Sequence, residues 1–348
     1  MTSPLPESAL QAAITRLAHH QPISADDAFE AFGVVMRGEA SAIQIAALLA
    51  GLRVRGETSD IVAGVVRALR EVMVRLPSAH PEELVDTCGT GGGAVATFNI
   101  STAAALLAAG AGVRIAKHGN RSFTSRCGSA DVLEALGVAM DAPLSTMESA
   151  LEKAGIVFMY APMMHPAMRH VGPIRRELGI PTVMNVVGPL ANPAGAARQV
   201  VGVADAHRVP ILAGALAALG SHHAMVVHGE PGLDEISPLG ITRVVEIRNG
   251  ATQEWSIDPS EYGLESGDPS ELAGGDPADN ARIVRDVLGG GGTRAARAAV
   301  MLNAAAAIYV SGRVKDYADG IASARAALEA GKGLEALERL RAAYSVAT

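Results

Sequence analysis

The chain has 348 residues, of which 49% are hydrophobic and only 3% aromatic, and its formal net charge is −7. That length predicts one large unit plus a smaller one, and that composition an α/β core of Ala, Val, Leu and Ile, since buried parallel strands and close-packed helices use small aliphatics. The acidic balance argues against a general nucleic-acid binder, and it requires that any anionic ligand be met by clustered Lys/Arg or by a metal ion.

No apolar run reaches the ~18 residues of a membrane span without a charge. The opening stretch, MTSPLPESALQAAI, lacks a basic region followed by an apolar core, so the expectation is a cytoplasmic protein with no membrane partner. Cys88 and Cys127 give no disulfide framework and suit a reducing compartment.

Residues 1–75 read as a small all-helical domain. ISADDAFEAFGVVMRG offers Ser24 as an N-cap with acids in the first turn, and SAIQIAALLAGLRVRG and SDIVAGVVRALREVMVRL follow with apolar residues at helical spacing. From about residue 84 the rhythm changes to short β-branched runs alternating with helices. LVDT, VRIA, IVFMYA, TVMNVV, QVVGVA and HAMVVHG are the predicted strands, and TRVVEIRNG with TQEWSI predicts a hairpin turning at Asn249-Gly250. After a polar link near 258–279 the chain returns to helices, two of them joined by GGGG at 289–292. The expected class is α/β: a small all-helical N-terminal domain (1–75, joined by helices near 165–180) and a large α/β domain (76–348) with a mostly parallel central sheet. Ligands in such sheets sit beyond the carboxyl ends of the strands.

Three loops carry chemistry. After LVDT comes CGTGGGAVATF, then NIST opening the helix STAAALLAAGAG, with Asn99 or Ser101 as N-cap. Glycines let backbone N–H groups close on an anion, the helix start adds a favourable dipole, and Asn99, Ser101 and Thr102 add donors or a metal-ligating oxygen. The loop reads as a phosphate or pyrophosphate cradle. It is no Walker loop, since no Lys occurs before Lys117, and no Rossmann fingerprint, since the helix starts too late and Arg114 and Lys117 stand where a ribose-binding acid belongs. The second loop, KHGNRSFTSRCGSADVLEALG, supplies the positive charge: Lys117, His118, Arg121 and Arg126 among Ser122, Thr124 and Ser125, with Ser129 starting the next helix. Singly these are ordinary surface or structural groups; together, after adjacent strands, they suit a phosphate ester. In the third, HGEPGLDEIS, a Pro-Gly turn presents Asp234 and Glu235. Beside a polyphosphate these become hard-oxygen ligands for Mg²⁺. No zinc cluster and no covalent-catalysis motif is visible.

With these motifs the chain closely resembles the anthranilate phosphoribosyltransferases, enzymes of tryptophan biosynthesis. The resemblance runs nearly end to end, through GTGG…TFNIST, KHGNRS, GSADVLEALG with Cys127 for the usual Ser, HPAMRHVGPIRRELG, NVVGPLANP and HGEPGLDEI. It implies an active-site cleft between the two domains and a homodimer formed through the small one. It also implies transfer of the phosphoribosyl group of phosphoribosyl pyrophosphate (PRPP) to the amine of anthranilate, with two Mg²⁺ ions per subunit. Carried onto this chain, it assigns PRPP binding to Gly89, Gly92, Gly93, Thr97, Asn99, Ile100, Ser101, Thr102, Lys117, His118, Gly119, Asn120, Arg121, Ser122, Phe123, Thr124, Ser125 and Ser129. Anthranilate falls to Gly89, Asn120, His165 and Arg175. Ser101 would ligate one Mg²⁺, and Asp234 and Glu235 the other.

One departure bears on the metal: the family's first loop commonly runs GTGGD, and Gly93 replaces that acid, so altered Mg²⁺ dependence or PRPP affinity is expected. The amine of anthranilate is neutral and weakly basic at pH 7, so positioning is expected to matter more than deprotonation, and no side chain is assigned as a strong general base; Lys117 and Mg²⁺ would stabilise the transition state. The alternatives are a pyrimidine nucleoside phosphorylase of related fold, against which Asp234 and Glu235 argue, and a non-catalytic nucleic-acid-binding relative, against which the charge argues.

Overall fold

The computed structural model describes residues 8–122 and 126–345. Four helices come first: α1 (Ala9–Ala18), α2 (Ala25–Met36), α3 (Ala42–Arg55) and α4 (Ser59–Val72). Each begins at a hydroxyl: Ser8, Ser24, Ser41 and Thr58 accept from the backbone N–H three residues on, which satisfies an amide that a helix start leaves unpaired. Ser24 and Ser41 complete reciprocal capping boxes with Asp27 and Gln44. Helices α2 and α4 cross closely, because a Cβ on Gly64 would collide with the Ala25 carbonyl oxygen and stand 2.9 Å from the Ala28 Cβ.

The sheet has seven strands in the order β3-β2-β1-β4-β5-β6-β7. They are β1 (Val85–Gly89), β2 (Ile115–Gly119), β3 (Ile156–Tyr160), β4 (Arg198–Gly202), β5 (His223–Gly229), β6 (Thr242–Arg248) and β7 (Ala251–Ile257). The first five are parallel and β6 and β7 antiparallel, and the β6–β7 turn is at Asn249 (φ 50°) and Gly250 (φ 82°), the pair of positive φ values that a tight hairpin requires. The chain moves outward from β1 to β3, then restarts at β4 on the other side of β1. The sheet therefore switches direction between β1 and β4, and a crevice opens at their carboxyl ends.

Helices α5 (Ile100–Gly110), α6 (Ser129–Ala135), α7 (Leu144–Ala154), α8 (Ala161–Met164), α9 (Gly172–Leu178) and α10 (Val209–Ala218) connect the parallel strands, and α11 (Pro277–Leu288), α12 (Arg294–Val310), α13 (Tyr317–Glu329) and α14 (Lys332–Ser345) end the chain. One core joins the sheet to α5, α7 and α11–α14. Within it α5 and α12 are buried nearly all round and pack on each other, which alanine permits and aromatic residues would not. A second core joins α1–α4 to α10 and to Val201, Val226, Val245 and Ile247 on the sheet. Segments around α9 pack on α2 and α3. Among the described residues no helix is long and apolar enough to cross a membrane.

One predicted strand is absent. TVMNVV forms a 3-10 turn over Val183–Asn185, because the Asn185 side-chain oxygen accepts from the Thr182 N–H at 3.0 Å and Pro181 and Pro189 bracket the run. Local side-chain bonds and prolines outweigh β-branched composition there. The α2–α4 contact gives a direct test. Gly64→Ala should destabilise the protein by about 1–3 kcal/mol, lowering the urea midpoint with an unchanged m-value; an unchanged midpoint would mean the crossing is loose.

Candidate active site

The glycine loop leaves β1 at Gly89, where any Cβ would run into the Asp234 carboxylate. Gly91 (φ 71°) and Gly92 (φ 80°) are left-handed, a conformation that glycine takes without strain. The Gly91 N–H donates to Asp234 Oδ2 at 2.8 Å, and the Ala94 N–H to the Gly232 carbonyl at 2.9 Å. Thr90 anchors the loop to the end of β4, donating its N–H to the Gly202 carbonyl and accepting from the Ala204 N–H at 3.2 Å. The glycine loop and the acidic loop after β5 thus lie face to face.

The start of α5 brings in the second set. The Ser101 N–H donates to Glu235 Oε1 at 3.1 Å. Asn99 occupies the N-cap position without a capping bond; its amide donates to the Cys127 carbonyl at 3.2 Å and accepts from Asn280 Nδ2 at 2.9 Å. The side chain expected to donate to a phosphate is thus committed to the protein. Ile100 and Thr102 are buried, and the Thr102 hydroxyl has no partner among the described residues, so these two offer the crevice backbone rather than side chains. Thr97 is half-buried between the glycine loop and α5.

Strand β2 carries Lys117, buried, whose ammonium donates to the Thr87 carbonyl and to Ser101 Oγ at 3.3 Å. Burial lowers its pKa, opposed by the negative charge of Asp86 and Glu235. Asp86 on β1 is pushed up to about 6 by burial, with Lys117 and a hydrogen bond from Asn192 acting against this. Burial also raises Asp234, and burial together with the neighbouring Asp234 charge raises Glu235. Two carboxylates in such surroundings, with no ion pair to either among the described residues, are an excess of negative charge that a divalent cation would neutralise.

His118 follows Lys117. Its N–H donates to Asp86 Oδ1 at 3.2 Å, and its ring lies 4.9 Å from that of His165, tilted by 58°. Burial holds both imidazoles neutral, at about 3 for His118 and about 4 for His165. The Ala191 backbone bears on His165, yet neither of its ring nitrogens meets hydrogen-bond geometry with a partner among the described residues. Asn120 and Gly119 close the strand, with Ser129 Oγ donating to the Asn120 carbonyl at 3.3 Å and standing where a Gly119 Cβ would go. The Ser122 N–H is taken by Asp131. Arg121 turns away from the crevice: its guanidinium pairs with Asp131 and Glu134, each at 2.8 Å. Phe123, Thr124 and Ser125 lie outside the described residues. Arg175 on α9 is half-buried, its pKa lowered by burial alone, and no hydrogen bond or ion pair engages its guanidinium among the described residues.

Several residues here were not singled out in the sequence: Asp86, Asn192, Asn280 and Asn303, whose Oδ1 accepts from the Ile236 N–H next to the acidic pair. Asp86 stands in LVDT, where an acid inside an apolar run was a visible signal. The asparagines are single amides, Asn192 within NVVGPLANP, Asn280 in PADNARIVRDVL and Asn303 in an alanine-rich run, and no residue beside them marks the contacts they make.

The fold and this crevice define the class. Residues 81–334 match the a/b domain of a glycosyl transferase family and residues 11–73 its helical bundle domain. The anthranilate phosphoribosyltransferase of Rubrobacter xylanophilus is 50% identical over 330 residues, covering 95% of this chain and 96% of the relative. The crystal structure of that enzyme from Thermus thermophilus superposes with a TM-score of 0.90 at 41% identity, covering 96% of this chain and 99% of its own. The Saccharomyces cerevisiae enzyme in complex with PRPP and Mg superposes with a TM-score of 0.88 at 30% identity, covering 98% and 99%. The chain belongs to the anthranilate phosphoribosyltransferase family.

At Gly93 a Cβ would stand 3.3 Å from Asp234 Oδ1 and 3.1 Å from the Gly232 carbonyl. An aspartate there would set a third carboxylate beside Asp234 and Glu235. Gly93→Asp should therefore shift the Mg²⁺ concentration that gives half-maximal activity; the same Mg²⁺ profile in both proteins would contradict this.

Proposed function

We propose that this chain transfers the 5-phosphoribosyl group of PRPP to the amine of anthranilate, releasing pyrophosphate and giving N-(5-phosphoribosyl)anthranilate, a step of tryptophan biosynthesis. The observation that carries the reading is the convergence of the glycine loop, Lys117 and the Asp234–Glu235 pair on one crevice. PRPP falls to the glycine loop, the start of α5 and the loop after β2. Mg²⁺ falls to Asp234, Glu235 and the Ser101 hydroxyl, two ions per subunit. The donor set fits the ion, since it is all oxygen and carries uncompensated charge. Bound there, Mg²⁺ would neutralise the charge of the departing diphosphate.

The chain's own residues do the rest. Backbone N–H groups of the glycine loop and the Lys117 ammonium stabilise the negative charge that grows on the leaving oxygen as the ribosyl C1–O bond breaks. The Arg175 guanidinium is suited to pair with the anthranilate carboxylate, and the His118–His165 ring pair is neutral. The amine lone pair forms the new C1–N bond, and its surplus proton leaves to solvent or to pyrophosphate. Neither histidine is basic enough, at about 3 and about 4, to act as a strong general base.

The assembly proposed is a homodimer through the helical domain. Helix α3 carries Ile43, Ala47, Ala50 and Val54 on one face, with Ile43 82% and Val54 86% exposed, an apolar stripe that stands uncovered among the described residues. Light scattering should give about twice the 35.6 kDa chain mass, and Val54→Asp should give the monomer; a monomeric wild type would sink the dimer.

The reaction itself is tested by anthranilate fluorescence. Protein with PRPP and Mg²⁺ should extinguish it, and a chelator should prevent this. No loss of fluorescence, with base released from thymidine or uridine by phosphate, would move the protein to the nucleoside phosphorylases.

A further inference from the structure

Two buried asparagines on the C-terminal helices bond segments that line the crevice. Asn280 on α11 is 2% exposed. Its Oδ1 accepts from the Gly275 N–H at 2.7 Å, and its Nδ2 donates to Asn99 Oδ1 at 2.9 Å. Asn99 in turn donates to the Cys127 carbonyl at 3.2 Å, so a chain of amides runs from α11 through the start of α5 to the loop preceding α6. Asn303 on α12 is 3% exposed. Its Oδ1 accepts from the Ile236 N–H at 2.9 Å, while its Nδ2 donates to the Ile236 and Ala299 carbonyls, each at 2.9 Å. Ile236 directly follows Asp234 and Glu235. On their other side, the Asp234 backbone is pressed so closely on Gly202 of β4 that no Cβ fits there.

An amide buried in a helix adds little net stability over an apolar residue once both partners are counted. What it does add is a fixed direction, because every donor and acceptor must be met at once. We infer that Asn280 and Asn303 are positioning residues that each set mainly one half of the site, Asn280 fixing the anion cradle at the start of α5 and Asn303 fixing the acidic pair. The inference rests on the transferase reading above. It makes α11 and α12 part of the substrate site, although neither asparagine touches substrate.

The test measures two bindings on purified, folded protein. PRPP binding is followed by calorimetry in the presence of chelator, and Mn²⁺ binding by the electron paramagnetic resonance of free Mn²⁺ in the absence of PRPP and pyrophosphate. Asn280→Ala should weaken PRPP about tenfold and leave Mn²⁺ within about twofold; Asn303→Ala should do the reverse. Asn280→Ser and Asn303→Ser, smaller perturbations, should follow the same crossed pattern with smaller amplitude. Losses that fall together in both assays in proportion to a lowered Tm would overturn the inference, since that is what two structural residues give. Unchanged binding in all four variants would overturn it, as would variants that fold in neither form. A wild type that binds neither PRPP nor Mn²⁺ would overturn the transferase reading itself, an outcome distinct from these.

Discussion

The crevice is organised around one buried positive charge. An ammonium removed from water is costly unless several partners compensate it, and Lys117 is surrounded accordingly: the Thr87 carbonyl and Ser101 hydroxyl bond it, and Asp86 and Glu235 supply opposite charge on either side. Each partner comes from one of three segments, β1, α5 or the loop after β5. Satisfying that single cation therefore fixes three segments relative to one another. Asp86 is itself held by Asn192, which donates to Asp86 Oδ2 at 2.7 Å and to the Ala116 carbonyl at 2.8 Å. The result is a row of alternating charge ending at two carboxylates with nothing cationic beyond them among the described residues, and that open end faces the glycine loop.

The fold makes this row possible through small residues. The switch between β1 and β4 places the strand ends side by side, and glycine at both ends lets the acidic loop press against them: no Cβ fits at Gly89 or Gly202 without striking Asp234. The alanine-rich helices behind do the same at larger scale, bringing α12 close enough to β4 and β5 for Asn303 to reach the acidic loop. A core with more aromatic volume would hold these layers further apart.

Much of this was legible in the sequence because phosphate chemistry uses a narrow vocabulary. Glycines, hydroxyls, a lysine and paired acids placed after successive strands pointed to the cradle, and capping residues such as Ser24 marked helix starts. What escaped was what only tertiary packing decides. TVMNVV had strand composition but turns on its own Thr182–Asn185 bond. Arg121 had the right charge beside the right loop, yet Asp131 and Glu134 one helix away claim it. His118 and His165 stand far apart in the chain, so nothing in either motif announced that their rings meet. Asn99 was read as a donor to ligand, and its commitment to Asn280 and Cys127 depends on elements remote in sequence.

On the proposed reading, the Lys117 charge holds the diphosphate end of the site together. Calorimetry of Mg²⁺–PRPP binding to wild type and to Lys117→Met tests it most directly, methionine keeping most of the side chain's length without its charge. Lys117→Met should lose at least about a hundredfold in affinity, with far-UV circular dichroism unchanged. Equal affinity in the two folded proteins would contradict it.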